Sequence, residues 1–289
     1  MKQVFLILAH KNPDQLEKLV NYLSANNCKV FVHIDRKQKK HFRTFISRFL
    51  AHKNIQIFAQ FKVYWGGYSQ IRATFFLLKK AVADGDFDFV NLISGQDLPV
   101  ARISAYNAFL EQHKDKSFVS YHKVPAPEQW SDRGGLDRVE YFWITAFPKW
   151  SGFFFNRFLV IINAFQRRLN IFKKSRVQLY GGANWFTLNK EMAVYVSALL
   201  QKNPAILHWY KNTRCADEII LQTILMNSPF REKVVDRCLR LIDWSTGPEF
   251  PRTFRLEDKE RLLNSGEFFA RKFDEQVDKE IIDHIYKHI

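Results

Sequence analysis

Cysteine is scarce in this chain: three in 289 residues, Cys28, Cys215 and Cys238, with no CxxC spacing. Their odd number and wide separation exclude a disulfide framework and a cysteine zinc site, and fit reduced thiols. The apolar run at the start, Val4–Ala9, holds six residues, too few for the apolar core of a signal peptide or for a membrane span. There is no Walker motif, no GxSxG, no dinucleotide fingerprint and no His, Asp and Glu cluster with metal spacing. Acid is also short: 29 Asp and Glu stand against 44 Lys and Arg, for a net charge of +15. That balance favours an anionic partner, whether a phosphate-bearing substrate, an anionic lipid surface or a nucleic acid. No RRM, KH, helix-turn-helix or zinc-finger pattern supports nucleic acid, and the cations are spread over most of the chain.

What is present is ordinary globular material, 47% hydrophobic and 25% charged, in a chain long enough to bury a substantial core. Residues 1–100 alternate short apolar runs with helical patterns. Val4–Ala9 reads as a strand. Asn12-Pro13-Asp14 opens a helix with Leu16, Leu19, Val20 and Leu23 on one face. Val30–Ile34 is the next strand, ending at Asp35. Lys39–Leu50 is a basic helix, Ile55–Phe58 a strand, Ser69–Ala83 a helix and Phe89–Ile93 another buried strand. This alternation predicts an α/β fold with a doubly wound, mostly parallel sheet flanked by helices. Ligands of such sheets bind beyond the carboxyl ends of the strands. His10, Asp35, the Tyr64–Tyr68 turn and Ser94-Gly95-Gln96-Asp97 stand at those ends. Farther on, a Gly-Gly turn at 181–182 leads into a strand. Glu191–Leu200 and Asp217–Leu225 read as helices, Arg240–Trp244 as a strand, and residues 250–289 as charged and helical.

Asp217 and Glu218 open the predicted Asp217–Leu225 helix. Capping accounts for carboxylates at a helix start. The functional reading is that one caps while the other points into a cleft as a general base. Near the chain end, Pro251-Arg252-Thr253-Phe254-Arg255 and Phe268–Asp274 set cations among aromatics. Lys272 lies between Phe269 and Phe273, so its stem is expected to run along apolar surface. Fixed Arg and Lys, or a divalent metal, can neutralise a departing diphosphate. Asp84-Gly85-Asp86-Phe87-Asp88 contains the DxD spacing, but it precedes the Phe89–Ile93 strand and reads as a helix-to-strand turn. The glycines of Trp65-Gly66-Gly67 either let backbone approach a phosphate or simply make a turn.

Several stretches, in order, resemble the core-2/I-branching β-1,6-N-acetylglucosaminyltransferase family, which also includes the peptide-O-xylosyltransferases. They are Ala9-His10-Lys11 after the first strand; Val32-His33-Ile34-Asp35; Val63-Tyr64-Trp65-Gly66-Gly67-Tyr68-Ser69; and Asn91-Leu92-Ile93-Ser94-Gly95-Gln96-Asp97-Leu98-Pro99, the most distinctive. A final group runs from Gly182-Ala183-Asn184-Trp185-Phe186 through Asp217-Glu218 and Leu241-Ile242-Asp243-Trp244 to Phe269–Asp274. The resemblance implies a GT-A-like fold and an inverting, metal-independent transfer of a sugar, GlcNAc foremost, from a UDP-sugar co-substrate, with no cofactor. It implies Glu218 as catalytic base, and Arg252 and Lys272 as the diphosphate's cations, with Arg255 the fallback for Arg252. Ala9, His10, Asp35 and Trp65 fall on the UDP side. Asp97, Arg138, Trp185, Asp217 and Trp244 fall on the substrate side. Residues 1–289 then form one catalytic domain, with a nucleotide-binding half 1–100 and an acceptor half 101–289.

The chain also departs from the animal members. The pattern after Trp244 is shorter, Thr246 stands where they carry an aromatic, and neither an anchor nor several disulfides is present. These departures suggest a cytoplasmic bacterial relative, at the inner membrane face, in surface polysaccharide synthesis. The stretch 147–176 holds seven basic residues and no acidic one, interleaved with aromatics. Arg157, Phe158, Val160, Ile161, Ile162, Phe165, Arg168 and Leu169 could form an interfacial amphipathic helix on anionic lipid, which a lipid-linked acceptor glycan would explain. The bland alternative puts Phe and Ile in the core and Arg and Lys in solvent. Two rival functions stand beside the main one: a metal-dependent transferase using Asp84, Asp86 or Asp88, and a basic nucleic-acid- or membrane-binding protein.

Overall fold

The computed structural model describes residues 1–145, 161–162, 164–169, 171–247 and 250–289. Strand β1 (Gln3–Ala9) is apolar at successive positions because both of its faces are covered. Val4 and Leu6 enter one core with Leu77, Leu78 and Ala81 of the helix Tyr68–Asp84 and Met192, Ala193 and Val196 of the helix Lys190–Lys202. Phe5 and Ile7 enter the opposite core with Leu16, Leu19, Val20 and Leu23 of the helix Pro13–Ala25. Side chains two apart share a face and neighbours alternate, so one short run seats two layers of helices.

Around β1 stand β2 (Lys29–Ile34), β3 (Ile55–Phe58) and β4 (Phe89–Ser94), all parallel to it or to each other in the order β4-β1-β2-β3. Beyond β4 the sheet continues through β9 (Phe186–Asn189), β6 (Ser117–Val119) and β10 (Val234–Val235), for seven strands in all. β9 is antiparallel to both its neighbours, while β6 and β10 run parallel. The predicted α/β sheet, mostly parallel and flanked by helices on both faces, is therefore present. A small second sheet joins β5 (Asp97–Pro99), β12 (Phe269–Arg271) and β11 (Arg240–Ile242). A third core fixes it, with Leu98, Phe254, Ala270, Phe273 and Ile281 buried together. β7 (His122–Val124) and β8 (Leu179–Gly181) form a separate antiparallel pair.

Some elements differ from the sequence expectation. The basic helix is only Arg43–Phe49, because the Asp35 carboxylate accepts from Lys37 N and starts a 3-10 turn, Arg36–Gln38, ahead of it. The expected helix from Asp217 is split into a 3-10 turn, Ala216–Glu218, and a helix, Ile220–Met226. Residues 250–289 hold β12 between the helices Lys259–Leu263 and Lys279–His288, so they are not helical throughout.

Gly182 lies where the site is pinned to this frame. Its N–H donates to Glu218 O at 2.9 Å, and a Cβ added there would sit 2.0 Å from Ser120 O. Gly182→Ala should therefore destabilise the protein by about 1–3 kcal/mol through forced overpacking against backbone. Urea unfolding of the two proteins measures this, and equal midpoints would contradict the close approach.

Candidate active site

The carboxyl ends of β1, β2 and β4 form one rim. Asp35 N donates to Ala9 O at 2.8 Å, tying the first two strand ends together. The buried Asp35 carboxylate accepts from Lys37 N at 3.0 Å and Val63 N at 3.1 Å, so it orders the chain leading to Trp65. Trp65 itself is 56% exposed, and its ring lies 5.6 Å from that of Phe250. Gly66 is in the left-handed region (φ 64°). Its carbonyl accepts from Cys215 N at 2.7 Å, and a Cβ there would lie 2.9 Å from Cys215 Sγ. These glycines thus make a turn that closes on the segment bearing Asp217 and Glu218, and their close neighbours are protein atoms.

Phe250 begins a broad groove of about 770 Å³ that Arg252, Thr253, Arg255, Lys272 and Thr246 also line. Its cations are not equivalent. Arg252 donates to Asp258 at 2.7 Å and Glu257 at 3.0 Å, and Asp243 lies 3.6 Å away, so its charge is already met. Lys272 makes no ion pair among the described residues. Burial pulls its ammonium below the usual range, and Lys11 and Arg271 add to that. Arg255 is exposed on the groove. Arg271 donates to Asp97 at 2.6 Å and stacks 4.5 Å from the Trp185 ring. Asp97 is 1% exposed and also accepts from Ser94 N, so it braces Arg271 from inside. His10 lies beside the same group. Partial desolvation, Lys11 and Arg271 draw its imidazole below the ordinary value, against the pull of Asp35.

Across the Gly66–Cys215 contact stand the two carboxylates. Cys215 is left-handed (φ 50°), and the break at Ile219 sends the side chains of the 3-10 turn in different directions. Glu218 leaves 32% of its side chain exposed and meets Arg138 at 2.6 Å. Burial raises its carboxyl above the ordinary range, and the Arg138 guanidinium opposes that rise. Arg138 is held in turn by the Trp130 ring, 4.0 Å below it. Asp217 is turned inward and 8% exposed, and it accepts from Gln70 at 2.7 Å. Burial, with the Glu218 charge behind it, pushes Asp217 up to about 7. Neither carboxylate serves the simple capping role that the sequence allows. Trp244 follows β11 and is half exposed.

The Asp84–Asp88 turn stands at the other end of the sheet. Lys29 pairs with Asp84 at 2.5 Å, Lys2 pairs with Asp86 at 2.5 Å, and Asp88 accepts from Lys2 N. The length of β1, about 20 Å at ~3.3 Å per residue, separates it from the rim. No group of three or more His, Cys, Asp or Glu with metal-holding geometry occurs among the described residues. Sequence reading passed over Trp130, Gln70, Cys215 and Phe250. Tertiary contact places Trp130, whose ring fills the space at Gly135 and Gly181, where a Cβ would lie 2.2 and 2.1 Å from it.

Of the residues expected to form the interfacial helix, Arg157, Phe158 and Val160 lie outside the described residues. In the described part, Ile161, Phe165 and Leu169 are exposed at four-residue spacing, with Leu169 N donating to Phe165 O. No helix of the described residues is long and apolar enough to cross a membrane.

A family model described as Core-2/I-branching enzyme matches residues 4–265. A xylosyltransferase of Ciona intestinalis is 23% identical over 298 residues, which are 94% of this chain and 32% of that protein. Human xylosyltransferase 1 is 23% identical over 303 residues, 96% of this chain and 29% of that one. The chain spans about a third of the length of these relatives. Among solved structures, a mannose-1-phosphate geranyltransferase of Thermus thermophilus covers 80% of this chain and 67% of its own at 12% identity and a TM-score of 0.34, a likeness too loose to bear on function. On the family match over residues 4–265, this chain belongs to the Core-2/I-branching enzyme family.

Proposed function

We propose that this chain transfers a sugar from a UDP-sugar to an acceptor hydroxyl, with inversion and without a divalent metal. One observation carries the reading. A half-buried carboxylate, raised by burial and gripped by Arg138, lies across one turn from a groove whose Lys272 has no ion-pair partner among the described residues. Glu218 takes the acceptor's proton as that oxygen attacks the anomeric carbon, and the bond from carbon to the diphosphate oxygen breaks on the opposite side. Lys272 and Arg255 meet the charge growing on the departing UDP. Arg252, already matched by three carboxylates, fixes the loop that presents them. Trp65 and Asp35 define the nucleoside side, and Trp244 and Arg138 the acceptor side. Metal independence is supported by the place of the Asp84–Asp88 turn, ion-paired at the far end of the sheet. GlcNAc is the first candidate sugar on family grounds, and xylose the second because the relatives carry that name.

A second contact is favoured by the exposed Ile161, Phe165 and Leu169 stripe beside Arg167 and Arg168, in a stretch without acid. Apolar anchors flanked by cations suit the surface of an anionic membrane, from which a lipid-linked acceptor would be presented.

Titration calorimetry with UDP and UDP-sugars in EDTA tests the donor site. Wild type and Glu218→Gln should bind UDP within about two-fold of each other, while the variant loses at least about 100-fold in transfer. Lys272→Ala should bind UDP clearly more weakly. Binding that requires manganese would transfer the reading to a metal-dependent enzyme. The pH profile tests the base: because Arg138 holds the Glu218 carboxyl down, Arg138→Ala should move the acidic limb of kcat to higher pH, and an unmoved limb would separate the two residues. For the membrane face, sedimentation with phosphatidylglycerol vesicles should fall when Ile161, Phe165 and Leu169 are changed to Ser, and unchanged sedimentation would remove that contact.

A further inference from the structure

Behind the carboxylate pair lies a small closed space of about 10 Å³, between the helices Tyr68–Asp84 and Ile220–Met226 and the approach to β9. Ile71, Phe75, Phe186 and Ile220 give it apolar walls. Three polar side chains also line it: Thr74, Asn184 and Asp217. Each is at least nine-tenths buried, and each has an atom with no hydrogen-bond partner: Thr74 Oγ1, Asn184 Nδ2 and Asp217 Oδ1. Buried polar atoms left unpaired are strongly unfavourable, so three around one space call for an occupant. The volume admits a single water and nothing larger. The chemistry fits that molecule: an amide N–H offers a proton, a carboxylate oxygen accepts one, and a hydroxyl can do either. A bare cation would instead face the Asn184 donor.

We infer that one buried water, held by Thr74 and Asn184, is a fixed ligand of Asp217 Oδ1, and that Asp217 so held is a positioning residue for Glu218. Asp217 Oδ2 already accepts from Gln70. With its second oxygen on the water, the Asp217 carboxyl is fixed at both ends to the helix that follows the Trp65 turn, since Gln70 and Thr74 both belong to Tyr68–Asp84. The 3-10 turn carrying Glu218 then moves only with that helix, and the base keeps its distance from the donor side. This role rests on Glu218 as base; the water itself does not.

A crystal structure at a resolution that reveals ordered waters should show one within hydrogen-bond reach of Thr74 Oγ1, Asn184 Nδ2 and Asp217 Oδ1. A cavity with no ordered water, or Asn184 bonded directly to Asp217, overturns the water. For the positioning role, measured as hydrolysis of a UDP-sugar with water taking the sugar, Thr74→Val should lower kcat for UDP release by about 10- to 100-fold with the donor KM unchanged. Thr74→Ser, which keeps the hydroxyl, should restore it. Wild-type kcat in a folded Thr74→Val protein overturns the role, as does a loss that Ser does not repair. If the wild-type protein neither binds UDP nor hydrolyses any UDP-sugar to UDP and free sugar, the transferase reading fails while the crystallographic result still decides the water.

Discussion

A carboxylate half withdrawn from water, with a second one buried beside it, stays charged only if a cation stands close by. Arg138 provides that cation at 2.6 Å from Glu218, and the rest of the site is organised around keeping it there. Trp130 supports the guanidinium from below, and Gly135 and Gly181 leave the space that the ring occupies. Arg138 O accepts from Arg214 N, which ties the guanidinium's backbone to the segment that carries the carboxylates. Gly182 N holds the Glu218 carbonyl from the other side. The pair is therefore a meeting point of four chain segments, each fixed by close backbone or ring contact. Burial raises the Glu218 carboxyl above its ordinary range, and the Arg138 guanidinium opposes that rise.

Part of the positive charge of the chain is matched within the fold. Lys2, Lys29, Arg252, Arg261 and Arg271 are each matched by carboxylates in the folded protein. What matters for an anionic ligand is the part left unmatched beside a concave surface, and at the groove that part is Lys272 with Arg255. Lys272 is held partly out of water among other cations, so a nearby anion would offset both its lost hydration and its repulsion from Lys11 and Arg271. A net charge read from composition points to the kind of partner; the folded arrangement decides which side chains stand unpaired at the groove.

The repeating layer of the fold was legible because burial on two faces forces apolar runs and burial on one face forces helical periodicity. β1, β2, β4 and the helix Pro13–Ala25 follow from that alone. The antiparallel insertion of β9 between β4 and β6 was not, since strand pairing across about a hundred residues leaves no local mark. The single helix expected from Asp217 failed at Ile219 for a tertiary reason: Cys215 bonds to Gly66, and the turn winds tightly to meet it.

The sequence by itself determined the class of fold, the strand ends at which a ligand would sit, and the residue types able to do the chemistry, because these depend on period, polarity and order along the chain. Only the tertiary structure decided which of the neighbouring cations is free. Asp258 and Glu257 lie a few residues from Arg252, but Asp243 comes from the end of β11, and together they take its charge and leave Lys272 and Arg255 exposed to a ligand. Only the tertiary structure, likewise, turned Asp217 inward and Glu218 outward from one dipeptide. A charge's role depends on which other charges and how much water surround it, and those surroundings are assembled from distant parts of the chain.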